Sequence, residues 1–506
     1  MKTLTTLILI AILLVPVLTV SAQDDGSVLR VGMVSPVQLD PHLGTNDPEV
    51  SFNRQIYDYL IDISPTGELI PQLASDWTIS EDGLTYTFNL VEASFHDGTP
   101  FTAADVAFSF NRIAELESPA INLLGSTFEV AAVDERTVEF TLEEINADFL
   151  FGVASRWSII LKDGTADVNV LTDDFANFVG TGPFVLQSYS DGESAEFAAN
   201  ADYWGGAPAL DALTFVFIDD LQAQIDAVRS DSIDALVRVA ADRIDELSAE
   251  ESLTVITRAT NLHPVIRLQA GEGDMGEDPR VMQAMKLATD RELLVLDLFG
   301  APDVATVGNN DPIGPAYGAF YEAIPDEYDP EAACALLAEA GFPDGLGADE
   351  PIEFYVVEAF NYPDMAVLLQ EQWEQGCIFV DILVRPENVY YGDNEWLEVD
   401  LGVTGWGSRP IPQQYLNEAY ITGASFNESN WSDEELDALA AEAAMTTDLE
   451  ARAEIYQSIA GVFAERGPII IPFFAPTVGV INNRVEGLDL HSFPGRTDFS
   501  SVTIAE

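Results

Sequence analysis

The sequence has 506 residues, of which 47% are hydrophobic and 21% charged. Its 86 acidic and 21 basic residues give a formal net charge of −65, which excludes nucleic acid and anionic membrane surfaces as partners because such a field repels them. The length exceeds the roughly 100–200 residues of a single domain, so we expect two or three lobes. The acidic residues are dispersed, and we interpret them as a solvated surface suited to salt, with calcium storage or an acidic-tail role as the alternatives.

The first 22 residues have the pattern of an export signal. Lys2 precedes an apolar run from 7 to 20, and Val20 and Ala22 occupy the small-residue positions of a cleavage site. Gln23 follows, where a bacterial lipoprotein would carry its lipid-modified cysteine. No other stretch reaches the roughly 18 unbroken apolar residues of a membrane span. We therefore predict an exported protein, periplasmic or extracellular, without a lipid anchor.

Residues 73–113 predict one compact unit of strand, turn, strand and helix. Apolar side chains alternate with polar ones over 84–90, which is the period of a half-buried antiparallel strand. Thr102 is expected to cap the following helix, and Asp105 at the third helical position is expected to complete the capping box. The pattern predicts an α+β unit at this point of the chain.

The other elements are predicted from the same periodicities. Ahead of this unit we expect a strand over 28–34 and an amphipathic helix through 52–60. After it come a hairpin near Val138 and Phe140, a turn at 180–184, a loop at 200–206, a strand at 215–218 and a helix over 220–229. Helices are predicted over 281–298, 330–340, 365–374, 432–444 and 449–466, with Ser432 and Glu435 as a capping box. Strands are predicted at 261–270, 352–357, 378–384, 397–405, 469–474 and 478–485.

Cys334 and Cys377 are the only cysteines in the sequence. In an exported protein, a pair of cysteines forms a disulfide more often than a metal site. We predict that bridge. Two buried thiols are the alternative, because pairing needs Cα atoms within about 7 Å.

An ordered set of motifs carries a resemblance that spans essentially all of the mature chain. The motifs are LASDWTISEDGLTYTFNL at 73–90, FHDGTPFTAADVAFSFNRI at 95–113, GTGPF at 180–184, NADYWGGAP at 200–208, DPRVMQAMKLATDRELL at 278–294 and YDPEAACALLAEAGFPDG at 328–345. With them the sequence resembles the extracytoplasmic solute-binding proteins of peptide ABC importers, the oligopeptide- and dipeptide-binding family (family 5).

This resemblance implies an α/β fold of the periplasmic-binding-protein type, with two lobes, three domains (type II) and a hinge. Domain I would comprise 28–58, 178–265 and 478–506, domain II the insertion 59–177, and domain III residues 266–477. The ligand would be a small peptide-like solute, passed to ABC permease subunits in the membrane, with no cofactor and a monomeric protein. Alternatives on the same scaffold are an oligosaccharide, glutathione or a metal chelate.

An enzyme is the alternative from a different class, as a secreted hydrolase that uses this scaffold. The four histidines, His42, His96, His263 and His491, lack the H-E-x-x-H spacing of a zinc protease, and no G-x-S-x-G motif occurs. Paired carboxylates, which glycoside hydrolases use, are not informative in this sequence, because 86 acidic side chains make chance pairs unavoidable. We predict no catalytic residue and no metal site.

The segment VDLGVTGWGSRPIPQQYL at 399–416 is the predicted ligand contact. In peptide-binding relatives the corresponding segment resembles G-W-x-x-D-Y, and its aspartate pairs with the amino terminus of the peptide. Gly405 and Trp406 match, whereas Arg409 stands at the aspartate position. A guanidinium offers a planar fork to a carboxylate or phosphate, so Arg409 predicts an acidic group on the ligand. A structural salt bridge from Arg409 is the alternative.

Further wall residues are predicted around this segment. Trp406 suits an aromatic wall against the ligand, with core packing as the alternative. The additional candidates for the wall are Tyr390, Tyr391, Tyr415, Ser35 and Gln38. Arg156, next to Trp157, is a candidate second cation.

Overall fold

The structure is a computed structural model. It describes residues 27–505 except 45, 126, 166, 167, 169–174, 176, 302, 303, 324–326, 393, 394 and the side chain of Asp242. The predicted export signal at 1–22 lies outside the described residues. None of the helices within the described ranges combines the length and the apolar character that a bilayer span requires.

The strands alternate along the chain with helices and longer loops. In chain order they are β1 (Val28–Met33), β2 (Ile61–Ile63), β3 (Leu69–Pro71), β4 (Ala74–Ile79), β5 (Thr85–Leu90), β6 (Phe128–Ala132), β7 (Thr137–Leu142), β8 (Phe184–Ser190), β9 (Ser194–Ala199), β10 (Ala212–Phe217), β11 (Ala235–Leu236), β12 (Leu253–Leu268), β13 (Thr306–Val307), β14 (Ile352–Val357), β15 (Val380–Arg385), β16 (Leu401–Trp406), β17 (Ile469–Ile470), β18 (Phe473–Asn482), β19 (Val485–Glu486) and β20 (Thr503–Ile504).

The longer helices fall mostly in the second part of the chain. The α-helices are α1 (Asp47–Ile56), α2 (Ala103–Glu115), α3 (Ile121–Leu124), α4 (Phe149–Val153), α5 (Leu221–Arg229), α6 (Ile244–Ser248), α7 (Pro279–Leu287), α8 (Arg291–Phe299), α9 (Pro330–Glu339), α10 (Tyr362–Gln375), α11 (Glu387–Tyr390), α12 (Glu395–Glu398), α13 (Pro412–Tyr415), α14 (Glu434–Met445) and α15 (Leu449–Arg466). Two 3₁₀ helices span Ala241–Arg243 and Pro315–Phe320, and a π-helical turn spans Leu416–Tyr420.

One large mixed sheet organises the molecule. Its order is β15-β14-β16-β12-β18-β11-β1-β10-β9-β8, with β13 beside β18 and β17 beside β12. The long strands β12 and β18 pair antiparallel over 253–262 and 475–482. On one side β18 pairs with β11, and on the other side β12 pairs with β16. These two strands therefore join a first half-sheet (β8, β9, β10, β1, β11) to a second half-sheet (β16, β14, β15), and the predicted two-lobed α/β fold is confirmed.

A separate sheet, β4-β5-β7-β6, contains the unit predicted over 73–113. Tyr86, Phe88 and Leu90 of β5 point into its core, and the polar residues between them are half-buried or exposed. The hairpin predicted near Val138 is confirmed as β6 and β7. This sheet falls within the predicted insertion, but the exact division into three domains stays a prediction.

The GTGPF segment forms a close turn against α1. The Gly182 N–H donates to the Ile56 carbonyl at 2.9 Å. A Cβ on Gly180 would lie 1.9 Å from that same carbonyl oxygen, so only glycine fits here. The predicted turn is confirmed, and it also explains why α1 ends at Ile56 instead of continuing to 60 as predicted.

Capping boxes were predicted at the starts of two helices, and one of these predictions is confirmed while the other is wrong. Thr102 and Asp105 form the predicted capping box, in which the Asp105 carboxylate accepts from the Thr102 N–H at 2.8 Å. The predicted box of Ser432 and Glu435 is wrong. Asp433 caps α14 instead, and its carboxylate accepts from the Glu435 N–H at 3.0 Å. Asp433, one position further along the chain, accepts from the Glu435 N–H that the Ser432 hydroxyl was expected to bind.

The single helix predicted over 281–298 is also wrong, because the chain forms two helices there. Helix α7 ends at Leu287, and Asp290 caps α8 by accepting from the Leu293 N–H at 2.9 Å. A mid-pattern aspartate that binds backbone N–H groups interrupts a helix although the apolar period continues through it.

Two strand boundaries differ from the predictions. The predicted strand at 261–270 is the far part of β12, which begins already at Leu253. The strand predicted at 397–405 begins only at Leu401. The buried Arg267 guanidinium donates to the carbonyl oxygens of Trp396 and Val399, so these residues turn toward it and cannot join the ladder.

The predicted disulfide between Cys334 and Cys377 is confirmed. The Cα atoms of the two cysteines lie 5.2 Å apart, and the bridge closes a sequence separation of 43 residues. It ties α9 to the chain entering β15, the outer strand of the second half-sheet. The bridge therefore connects a helix layer to the sheet edge within one lobe.

Candidate functional site

The carboxyl ends of the first half-sheet point toward the second. Strand β1 pairs parallel with both β10 and β11, and β11 and β12 are both antiparallel to β18. Strands β1, β10 and β11 therefore run in the same direction as β12. Because β12 leaves the first half-sheet to enter the second, the loops after these three strands face the second half-sheet.

The second half-sheet faces back in the same way. Strand β16 is antiparallel to β12, and β14 is parallel to β16 and β15. The loops after β14, β15 and β16 therefore face the first half-sheet. Ligands of open α/β sheets bind outside the carboxyl ends of the strands, and here two such edges confront each other across β12 and β18. The space between these edges, called the cleft below, is the candidate site.

Most of the predicted site residues lie at these edges. Ser35 and Gln38 follow β1, and Tyr390 and Tyr391 follow β15. Gly405 and Trp406 end β16, Arg409 lies in the loop after it, and Tyr415 ends α13. Residues separated by up to several hundred positions are thus assembled around one cleft. Their contact with a ligand stays a prediction.

Trp406 is fixed from behind by a buried ion pair. Its indole N–H donates to Glu428 Oε1 at 2.7 Å, and the Thr404 hydroxyl donates to Oε2 at 2.7 Å. Arg267 Nε lies 3.7 Å from Glu428 Oε2, and neither side chain is more than 5% exposed. Burial raises the pKa of Glu428, and the Arg267 charge opposes that rise. The tryptophan is 6% exposed and is held rigidly at the strand end.

Arg409 forms the salt bridge that was one of its two predicted roles. Its Nε and Nη2 contact the same oxygen of Glu418 at 3.0 and 2.9 Å. The guanidinium lies over the rings of Trp406 and Tyr415, 5.4 and 5.9 Å from their centroids. Its side chain is 29% exposed, so part of the group remains accessible to solvent.

An aromatic surface surrounds Gly405. Tyr391 accepts a hydrogen bond from the Gly405 N–H at 3.3 Å, and a Cβ on Gly405 would lie 2.7 Å from the Tyr362 hydroxyl. From Tyr391 the rings continue through Trp396 to Phe426, with centroid separations of 5.9 and 5.6 Å. Trp396 and Phe426 were not among the predicted wall residues, because neither belongs to a motif and only the fold brings them to β16.

Tyr390 and Tyr415 are fully buried. The Tyr415 hydroxyl donates to the Gly407 carbonyl at 2.7 Å and accepts from the Arg409 N–H at 3.2 Å. Tyr390 packs against Gly402 of β16. Both tyrosines support the loop and strand that carry Trp406 and Arg409, and the arrangement does not favour their predicted direct contact with a ligand.

The first half-sheet contributes polar groups that hold their own loop. The Gln38 N–H donates to the Glu49 carboxylate at 3.0 Å, and the Gln38 side-chain amide oxygen accepts from the Asp40 backbone N–H at 3.0 Å. The Ser35 N–H lies 3.4 Å from an Asp219 carboxylate oxygen. Ser35 and Gln38 are half-buried, so each keeps some exposed surface.

Arg156, the candidate second cation, lies near the start of α1. Its Nη1 is 3.7 Å from Asp47 Oδ1, and the exposed Arg238 pairs with the other oxygen of the same carboxylate. Burial lowers the pKa of Arg156, and the Asp47 charge opposes that fall. Two guanidinium groups thus share one carboxylate on this side of the cleft.

The histidines have structural partners. Each of the four imidazoles bonds to a backbone carbonyl at 2.8–3.0 Å, namely His42 to Ile159, His96 to Gly182, His263 to Asn261 and His491 to Ile63. Burial lowers the pKa of His263 to about 4, so it stays neutral near pH 7. Within the part of the chain that the structure describes, no group of three or more His, Cys, Asp or Glu side chains could hold a metal ion.

Comparison with known proteins gives one consistent family match. Residues 68–427 match the family described as bacterial extracellular solute-binding proteins, family 5, middle. Heme-binding protein A of Haemophilus influenzae is 27% identical, over 86% of this chain and 84% of its own length. Di/tripeptide-binding protein 2 of Pseudomonas aeruginosa is 27% identical, over 89% of each chain.

Solved structures agree with this match. A periplasmic binding protein of Helicobacter pylori, associated with an ABC transporter and in complex with the peptide STSA, is 25% identical to this chain. It aligns with a TM-score of 0.66, over 95% of this chain and 98% of its own.

Proposed function

This chain belongs to the bacterial extracellular solute-binding proteins of family 5, and on that premise we propose that it is the extracytoplasmic substrate-binding component of an ABC importer. It captures a peptide-like solute between its two lobes and delivers it to permease subunits in the membrane. The observation that carries the proposal is the pair of strand edges that face each other across β12 and β18. Two connecting strands can act as a hinge that closes the lobes over a ligand.

Peptides are the favoured ligand class because two of the similar proteins bind peptides. The Pseudomonas relative is named for di- and tripeptides, and the Helicobacter structure contains a bound peptide. The proposal includes an exported, monomeric protein without a lipid anchor that catalyses no reaction and uses no cofactor. ATP hydrolysis belongs to other subunits of the importer.

We further propose that Arg409 binds an acidic group of the ligand. Its Nε and Nη2 contact Glu418, whereas Nη1 points toward Gly407, where an added Cβ would lie 3.7 Å from it. A ligand carboxylate can bind the guanidinium from the cleft, sharing it with Glu418 or displacing that side chain. The rings of Trp406 and Tyr415 keep the guanidinium in place, so little side-chain freedom is lost on binding.

Arg409→Ala is expected to weaken the binding of an acidic peptide by about 10–100-fold, because a hydrogen-bonded charge contributes roughly 1.5–3 kcal/mol. Isothermal titration calorimetry on the mature protein measures this with a peptide free acid and the corresponding amide. The amide should lose little affinity on the same substitution. Mass spectrometry of material that co-purifies from native cells supplies the natural ligand for the same assay.

Arg466→Ala is the matched control. Its side chain is 27% exposed and pairs with Asp433 and Glu435, so it resembles Arg409 in exposure and pairing, but it ends α15 and pairs with the start of α14. Its removal should leave the affinity unchanged. If Arg409→Ala also leaves the affinity for the free acid unchanged, the salt bridge to Glu418 is the whole role of Arg409.

A further inference from the structure

The most exposed apolar side chains gather at the cleft. Among the described residues, the four large apolar side chains with the greatest exposure are Val37 at 84%, Phe360 at 75%, Val133 at 60% and Leu221 at 59%. Three of these follow strands whose carboxyl ends face the cleft: Val37 follows β1, Leu221 follows β10 and Phe360 follows β14. Apolar groups that are left in water and concentrated at one place indicate a binding surface.

Phe360 is exposed to water and has an unfavourable backbone conformation. Its φ of +49° is left-handed, a conformation that favours glycine or asparagine over an aromatic residue. The turn around it is closed by the Tyr362 N–H, which donates to the Ala359 carbonyl at 3.2 Å. The Phe360 ring lies 5.5 Å from the Tyr362 ring, which itself touches the Gly405 position. The contact with Tyr362 buries little of the Phe360 side chain, which stays 75% exposed, so this arrangement contributes little to the stability of the fold.

A cavity lies on the opposite edge of the cleft. It has a volume of about 210 Å³. Leu221, Ile225, Leu236 and Val239 form most of its apolar lining, and two glutamines and two arginines, Arg238 and Arg243, form its polar lining. Leu221 and Val239 follow β10 and β11, whose carboxyl ends face the Phe360 edge. An apolar cavity of about 150 Å³ is enough to hold benzene, so the volume of this cavity is large enough for an aromatic or a large aliphatic side chain placed against its apolar lining.

We propose that an apolar side chain of the bound ligand enters the cavity beside Leu221 and that Phe360 covers it from the facing lobe. This inference rests on the proposed peptide-binding function and adds an apolar subsite that is separate from Arg409. Closure of the hinge would then bury Leu221 and Phe360 together with the ligand side chain, which removes all three from water. The ligand class becomes a peptide that carries a large apolar residue in addition to an acidic group.

The test compares two peptides of equal charge, alanyl-phenylalanyl-glutamate and alanyl-alanyl-glutamate, by calorimetric titration of the mature protein. The wild type should bind the phenylalanyl peptide at least about tenfold more tightly, because burial of such a side chain is worth that much in affinity. Phe360→Asn and Leu221→Ser should each remove most of this preference. Val133→Ser, at the turn between β6 and β7, replaces an equally exposed apolar residue away from the cleft and should leave it intact.

A second measurement separates ligand contact from a structural role. The melting temperature of ligand-free Phe360→Asn should stay the same or rise, because asparagine tolerates the left-handed backbone and no buried contact is lost. A clear fall in that temperature, or an unchanged preference in both variants, overturns the subsite. Equal affinity of the wild type for both peptides overturns it too, while peptide binding itself stands. If neither peptide binds the wild type, the peptide-binding proposal fails and the subsite fails with it.

Discussion

Glu428→Ala is expected to destabilise the protein by about 3–5 kcal/mol, because it leaves the Arg267 guanidinium buried without its counter-charge. Arg267 is fully buried and Glu428 is 5% exposed, so water cannot replace the lost carboxylate. The Trp406 indole and the Thr404 hydroxyl lose their acceptors in the same variant. Chemical denaturation followed by circular dichroism measures the loss.

Glu428→Gln separates charge from shape. The amide keeps an acceptor for Trp406 but not the negative charge beside Arg267, so most of the destabilisation should remain. Glu435→Ala is the surface control, because that carboxylate is 64% exposed and its pairing with Arg466 should be worth no more than about 1 kcal/mol. A Glu428→Ala protein as stable as the wild type would show that the pair does not hold the β16 edge of the cleft.

Removal of the disulfide should have the second largest effect. The double substitution Cys334→Ala and Cys377→Ala is expected to lower the free energy of unfolding by about 2–4 kcal/mol, since the bridge closes a separation of 43 residues and limits the unfolded chain. Thermal unfolding of the oxidised, reduced and doubly substituted proteins gives the difference.

The reduced wild type and the double variant should melt alike, below the oxidised wild type. Peptide affinity should change little, because the bridge joins α9 to the entry of β15 and lies behind the cleft edge. Identical melting of the oxidised and substituted proteins would mean that this lobe is already ordered without the bridge.

Local patterns accounted for most of the fold. The alternation through Tyr86 and Phe88 and the capping pair Thr102 and Asp105 are short-range signals, and both were confirmed. The wrong predictions have a local cause as well. At Asp290 and Asp433 a carboxylate binds backbone N–H groups, which the apolar period cannot reveal.

The site was predictable only in part. The segment around Trp406 could be found from its resemblance to relatives, and a salt bridge from Arg409 was one of the two roles expected for it. Glu428 could not be linked to Arg267, because 161 positions separate them and the pairing arises from the fold of β12 against β16. Phe360 also escaped notice, because its meaning lies in exposure and backbone conformation, which no sequence pattern records.

On the proposed function, the two half-sheets close over a bound peptide. Small-angle X-ray scattering of the mature protein tests it directly, with and without a saturating peptide whose binding has been established by titration. We expect the radius of gyration to fall when the peptide binds, because hinge closure makes the molecule more compact. A peptide that binds tightly while the radius of gyration stays unchanged would contradict it.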